Sequence, residues 1–416
     1  MDRRRFKWGI AAAGFGMAAM VAAFSFMSLR AGAAPVVFVV DDDGMATGNN
    51  CNSSTPTPYT TISAAVTAAA AGDTVKVCPG SYTEDVTIDK SLTLKGAKAG
   101  TSVNGRTFNA ANESTVTGLV TIDAEDVTVD GFSLTNPDQG LGVLVKTTGK
   151  DAVIRKNILQ TVGNNTFAGP VVGIYLELGP DGVSVRGNKI SDIQSQTGSA
   201  QGVLVGDSTS ADPSLDTSIN NNRISDITSV EKGAYGVQVN NGSSSAPTAV
   251  GYTEVEVAGN TIKNLSGTWV HAIGLEGETP NADVNHNVIS NLTDTDGGTV
   301  NDAVGVFFED NPFFFTSQVN QNNLAVGSDN FGIAVATALS TQYVSLSVDG
   351  ECNWWGAANG PSTVGTGSGA MVGPNVDFKP WLKSANLDRG CGDHNHHDSD
   401  KHHGDWGDDN DDWRED

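Results

Sequence analysis

The chain has 416 residues, of which 48 are acidic and 24 basic, giving a formal net charge of −24 at pH 7. A surface this acidic repels nucleic acid and anionic membranes, which proteins bind through lysine and arginine. The length suffices for a large core, and the repeat described below argues for one stacked domain rather than several globular ones.

In chain order, the first expected element lies outside the fold. Arg3, Arg4, Arg5 and Lys7 form a basic head, an apolar run extends from about Trp8 to Met27, and Ala31-Gly32-Ala33 offers small residues where a signal peptidase cuts. Residues 1–33 are therefore read as a signal peptide, and if uncut the run is long enough to anchor the chain in a membrane. Arg3-Arg4-Arg5-Phe6 also resembles part of a twin-arginine export signal. Removing 1–33 takes away five basic residues and one acid and leaves a net charge of −28. The mature protein is expected outside the cytoplasm, secreted or on the cell surface, with no membrane contact once the signal is gone.

Cys51, Cys78, Cys352 and Cys391 make an even count in an exported chain, which favours disulfides. They fall in one pair near each end of the fold, and the expected pairing is Cys51–Cys78 and Cys352–Cys391, although sequence alone allows three connectivities. Between the first pair, Thr60 to Ala71 reads as an amphipathic helix stopped at Gly72, placed to plug the open end of a solenoid.

From about residue 140 an internal repeat dominates. RKNILQTV with Asn157, RGNKISDI with Asn188, NNNRISDI with Asn222, AGNTIKNL with Asn260, NHNVISNL with Asn287 and QNNLAVG with Asn322 recur at spacings of 31, 34, 38, 27 and 35 residues. Each unit carries a second apolar strand led by a small residue, at Gly142, Gly173, Gly202, Gly236, Ala272, Gly305 and Gly332. Both segments alternate with period 2, so each is a strand with one buried face. Units of this kind bury that face only by stacking on their neighbours. The expected fold is all-β: a single-stranded right-handed parallel β-helix. Equivalent residues of successive coils would lie about 4.8 Å apart. An asparagine at each corner would accept a left-handed backbone and donate its amide to the asparagine above. The unequal spacings place insertions at 206–217 and 241–253 as outward loops, where function often resides. The domain spans 34–392, with an N-terminal cap over 34–96 and a C-terminal cap over 350–392. Trp354, Trp355 and Trp381 serve there as the plug. Residues 393–416 form a disordered tail rich in Asp, His and Gly.

The segment from Tyr59 to Gly96 (YTTISAAVTAAAAGDTVKVCPGSYTEDVTIDKSLTLKG) resembles the opening of bacterial right-handed β-helix proteins of the pectin-lyase-like superfamily, which carry parallel β-helix repeats. Asn353-Trp354-Trp355-Gly356, then Gly360-Pro361 and Pro380-Trp381-Leu382, is similar to a closing motif of those proteins. The resemblance covers roughly residues 36–385. It implies the fold but no single activity, because the superfamily holds lyases, hydrolases, esterases, epimerases, adhesins and inert stalks.

The motifs of its enzymes are missing: there is no Gly-His-Gly segment and no Gly-Arg-Pro-Trp segment. Residues 264–378 hold twelve acids and no lysine or arginine, which disfavours a lyase base in that half. Aligning GIYLE, AIGLE and GVFFE puts Glu177, Glu276 and Glu309 in one outward column, with Glu276 and Glu309 on adjacent coils. Such a pair can share a proton, bind Ca²⁺, or splay into water as a plain acidic stripe. Arg155 and Arg186, with Lys156 beside them, are the alternative lyase base, with Glu177 or Asp181 for calcium, or else simple strand-edge charges. His271 is expected in a corner, making a turn hydrogen bond. Tyr175 and Phe307 should point outward, and Phe313 and Phe314 belong to a triple-Phe loop that either meets a ligand or tucks back over the core. In the tail, His394, His396, His397, His402 and His403 are candidate ligands for a transition metal. The expected function is a recognition or structural module touching an extracellular polysaccharide or cell-surface glycan. The alternatives are a polysaccharide lyase or glycoside hydrolase, and a non-catalytic stalk or adhesin.

Overall fold

The computed structural model describes residues 34–43, 51, 58–109, 111–177, 181–206, 216–241, 255–277, 279–296, 303–363, 366–388 and 391. The expected signal peptide, the tail with its five histidines, and most of the two insertions lie outside these residues.

The chain is a parallel β-helix. Its described strands form three sheets in which all pairings are parallel, of 12, 9 and 10 strands, here called sheets 1, 2 and 3 in the order one coil visits them. One coil runs through Ser184–Arg186 on sheet 1, Lys189–Ser195 on sheet 2 and Ala200–Val205 on sheet 3. The register stacks like on like. Ile154, Val185, Ile219, Val257, Val284 and Val319 form one inward column of sheet 1. Ile190, Ile224, Ile262 and Ile289 form one of sheet 2. All ten of these side chains are buried. β-Branched residues recur because their stiff side chains pack well on a pleated surface. The small residue that leads each sheet 3 strand has a steric cause: a Cβ on Gly202 would stand 2.6 Å from the Gly236 carbonyl oxygen and 2.7 Å from Ile224 Cγ2.

The corner between sheets 1 and 2 holds the asparagine ladder. Asn222 Oδ1 accepts from the backbone N–H of Asn188 at 2.9 Å and from its Nδ2 at 3.0 Å, and Asn222 Nδ2 donates to the Val185 carbonyl at 2.8 Å. The same pattern links Asn157, Asn188, Asn222, Asn260, Asn287 and Asn322. It continues one rung further than the repeat indicated, to Asn353. One expectation needs correction: the left-handed residue is not the asparagine but the one before it. Lys156, Gly187, Asn221, Gly259, His286, Gln321 and Cys352 all have φ between 53° and 66°. That turn aims the next side chain inward, where the carboxamide meets both the rung above and the rung below. A second column of left-handed residues, Thr161, Asp192, Asp226, Asn264 and Asn291, sits outward in the middle of sheet 2. Its side chains are tied by Asn291 Nδ2 to Asn264 Oδ1 at 3.1 Å and Asn264 Nδ2 to Asp226 Oδ1 at 3.0 Å.

The ends are closed as the composition suggested, with shifts in detail. The capping helix is Ile62–Ala68, shorter than expected, with Thr61 as its N-cap. Glu84 accepts from the N–H groups of Ile62 and Ser63, and Lys90 Nζ donates to the Val66 carbonyl, so both helix ends are satisfied from the first coil. Ile62, Ala65 and Val66 face the core. At the other end Trp355 is fully buried, whereas Trp354 and Trp381 are half-buried, so the plug centres on one tryptophan. Trp381 stacks on Phe378 instead, with centroids 6.1 Å apart. Cys51–Cys78 and Cys352–Cys391 are bonded, with Cα separations of 5.6 and 5.3 Å. Among the described residues no helix is long and apolar enough to cross a membrane.

Replacing Asn222 by alanine leaves the buried Asn188 N–H without its acceptor and the Val185 carbonyl without its carboxamide donor. Each orphaned group costs about 1–3 kcal/mol, so N222A should lower Tm clearly. N264G, in the outer column, keeps the left-handed turn and should cost no more than about 1 kcal/mol. Thermal melts of the two variants check this.

Candidate functional site on the outer face of sheet 3

Sheet 3 turns a set of polar and aromatic side chains outward on four successive strands: Ala200–Val205, Gly233–Asn241, Trp269–Gly277 and Ala303–Glu309. Register places Gln201, Tyr235, His271 and Val304 in one column, and Leu204, Gln238, Gly274 and Phe307 in the next. Asn240, Glu276 and Glu309 form a third. Glu276 and Glu309 are thus direct neighbours. Glu177 falls in the same column, one residue past the Leu176–Val205 pair, but Gly206 and Asn240 separate it from Glu276.

These side chains are sheltered rather than splayed into water. Gln201, Tyr235, Gln238, Asn240 and His271 are buried, and Glu276, Phe307 and Glu309 are half-buried. A polar chain crosses the strands: Gln201 Nε2 donates to Gln238 Oε1 at 2.5 Å, and Gln238 Nε2 to Glu276 Oε2 at 2.8 Å. Asn240 Nδ2 donates to the same carboxylate oxygen at 2.9 Å. Beside it runs an aromatic line, in which Trp269 Nε1 donates to the Tyr235 hydroxyl at 2.8 Å. The His271 ring lies 5.3 Å from that of Tyr235 and 4.3 Å from that of Phe307.

The electrostatics follow from this shelter. Burial, the neighbouring Glu276 and Asp310 together push the Glu309 carboxyl up to about 7. Burial also raises Glu276, with Asp310 adding to the effect and the Gln238 amide opposing it. Burial alone pushes His271 down to about 3, so its ring is neutral at physiological pH. It sits within a strand rather than in a corner, and among the described residues its buried Nδ1 has no hydrogen-bond partner. Gln201 Oε1 is likewise buried without a donor.

The remaining candidates disperse. Arg155 and Arg186 pair in register on sheet 1, away from the carboxyl pair on sheet 3. Arg155 Nε donates to the buried Asp130 at 3.0 Å, and Asp181 pairs with Lys150 at 3.0 Å. Tyr175 shares the column of Phe307 but lies four strands away. Phe314 is fully buried against Phe308, so it belongs to the core and not to a ligand surface, whereas Phe313 is half-buried and Phe315 exposed. For a hard cation the described residues offer Glu276 and Glu309, and separately Asp41, Asp42 and Asp43, whose carboxylate oxygens lie within 4.8 Å of one another. Sequence reasoning missed Gln201, Gln238, Asn240, Tyr235 and Trp269. The available signal was their place on the outward parity of GVLV-type strands.

No family model matches the chain, and no curated protein matches it either. Among solved structures it is similar to a rhamnogalacturonan lyase, with a TM-score of 0.41 and 11% identity over 82% of this chain and 85% of that one. It is also similar to a protein described as ORF18 of Geobacillus virus E2, with a TM-score of 0.36 and 13% identity over 82% of this chain and 60% of the other.

A carboxyl whose folded value is raised holds a proton that the unfolded chain has released. Stability therefore falls as pH rises from 4.5, the ordinary value, through about 7 for Glu309. Glu309 is half-exposed, so solvent screening limits this loss to about 1–2 kcal/mol. E309Q should flatten the decline and raise Tm at pH 8 relative to the wild type, with little change at pH 4.5. Melts across that range check it.

Proposed function

We propose that this protein is an extracytoplasmic β-helix recognition module that binds a glycan on the outer face of sheet 3. The observation that carries the reading is the sheltered row of Gln201, Gln238, Asn240, Glu276 and Glu309 beside Tyr235, His271 and Phe307. The half-exposed carboxyls of Glu276 and Glu309, set in place by the buried amides of Gln238 and Asn240, supply hydroxyl-bonding groups, and the half-exposed Phe307 ring can stack on the apolar face of a pyranose. The strand spacing of about 4.8 Å repeats those groups at fixed intervals, which suits a polymer. The concentration of acids in residues 264–378, with no lysine or arginine, favours a neutral sugar chain over an anionic one there.

A second reading has support from one group. Burial and the neighbouring carboxyls raise Glu309 to about 7, the range a general acid uses near neutral pH, and Glu276 beside it is a potential base. Glycoside hydrolysis, however, uses two carboxyls flanking the scissile bond. Here both project from neighbouring strands of one face, an arrangement closer to a binding array than to a flanking pair.

Retention of the wild type on a panel of immobilised neutral glycans, without release of reducing ends or unsaturated products, is the expected result. F307A and E276A should each weaken that retention by about tenfold, a loss of about 1.4 kcal/mol. Turnover that disappears in E309Q would favour the enzyme. Neither retention nor turnover would leave a stalk or adhesin.

A further inference from the structure

A groove of about 340 Å³ lies on a different face, along sheet 2, and is lined by the charged residues Lys189, Arg223 and Lys263. Its wall is the excursion of the chain between the strands Thr93–Lys95 and Ser114–Thr117, where Val103 and Gly105 border the groove. That wall is held in place by a buried ion pair. Arg106 bonds Glu113 at 2.6 Å with both side chains almost fully sheltered, and it also donates to the carbonyls of Lys156 and Phe132 at the asparagine corner. The wall is therefore a fixed part of the fold and not a loose loop.

The floor is set by register. Lys189 pairs with Arg223, and Arg223 with Thr261, so the first two cations stand on adjacent rungs. Lys263 occupies the next rung, two residues along, in register with Ser225. Three cations thus follow one another on three rungs, each rung about 4.8 Å from the next. Arg223 and Lys263 are exposed and Lys189 is half-buried. Among the described residues, ion pairs engage Lys90, Arg106, Lys146, Lys150 and Arg155, and none reaches the charged ends of these three. The carboxylates nearest along the same strands are occupied, Asp192 by Thr161 and Asp226 by Asn264 and Ser225.

A chain with twice as many acids as bases has every opportunity to neutralise three stacked cations, and among the described residues none does so. Like charges on neighbouring strands repel one another, so their alignment without counter-charges costs stability unless an anion comes between them. We infer that this groove is a second binding site, for a linear polyanion whose sulfate or carboxylate groups recur along its length. Its concave walls concentrate positive potential within a negative molecule, which admits such a ligand locally despite the net charge. The site shares no residue with the sheet 3 face and does not depend on the reading given for it.

The test uses the full chain on two immobilised polyanions, one sulfated and one carboxylated, with uncharged dextran as the blank. Retention on at least one polyanion at low salt is expected, lost as salt rises. Which of the two retains the protein names the anion. K189Q/R223Q/K263Q, which preserves side-chain bulk, should lose at least tenfold in affinity, and F307A on sheet 3 should lose none. The single variant K263E, on an exposed side chain, should show most of the same loss with an unchanged melt. Failure of both polyanions to bind, or equal binding by wild type and triple variant, would overturn the assignment.

Discussion

Every coil of this protein hydrogen-bonds to the next through parallel strands about 4.8 Å apart, and all else depends on that spacing. Parallel stacking in register forbids a side chain from hiding among unlike neighbours, because its own counterpart stands directly above and below. Apolar residues meet this easily, as the valine and isoleucine columns of sheets 1 and 2 do. A polar group inside the wall is tolerable only if it can both give and take along the stack. Asparagine does so, since its Oδ1 accepts from one rung while its Nδ2 donates to the carbonyl of that rung and to the next carboxamide. A serine has too short a reach and an aspartate lacks the donor.

The ladder must also end somewhere, and its ends explain two features that look like decoration in the sequence. At its start, the N–H of Phe132 donates to Asn157 Oδ1, and Arg106 takes the carbonyls of Phe132 and Lys156 from outside. The buried Arg106–Glu113 pair is thereby committed to closing the corner, where its charges are hydrogen-bonded as well as paired. At its finish, Asn353 reaches back to the Val319 carbonyl, directly before the buried Trp355 seals the last coil.

On the outside the same register acts without a core to discipline it. It forces Glu276 against Glu309 on sheet 3 and Lys189 against Arg223 on sheet 2. In a globular fold such pairs would drift apart or acquire counter-ions. Here the strands fix them, so two faces of one solenoid carry fixed arrays of opposite character. One is sheltered, aromatic and weakly acidic; the other is open and cationic. Neither needs a moving loop, because the backbone ladder supplies the order in advance of any ligand.

The repeat could be read from the sequence because its causes are local. An asparagine at a corner, a small residue where the strand bends past a carbonyl, and period-2 apolar segments each leave a mark at a regular interval. The carboxyl column was legible for the same reason, since aligning GIYLE with AIGLE and GVFFE is itself a statement of register. Other properties needed the tertiary structure. The left-handed turn belongs to the residue before each asparagine, whose identity varies from Lys to Gly to His, so composition hides it. The burial of His271 and most of the elevation of Glu309 arise from neighbours 33 to 36 positions away in the chain, brought together only by coiling. Phe314 and Phe315 are adjacent and chemically identical, yet one fills the core and the other meets water. Sequence alone determined that this chain stacks on itself and where its corners fall; which outward groups became neighbours, and which were sheltered from water, was decided when one coil closed over the next.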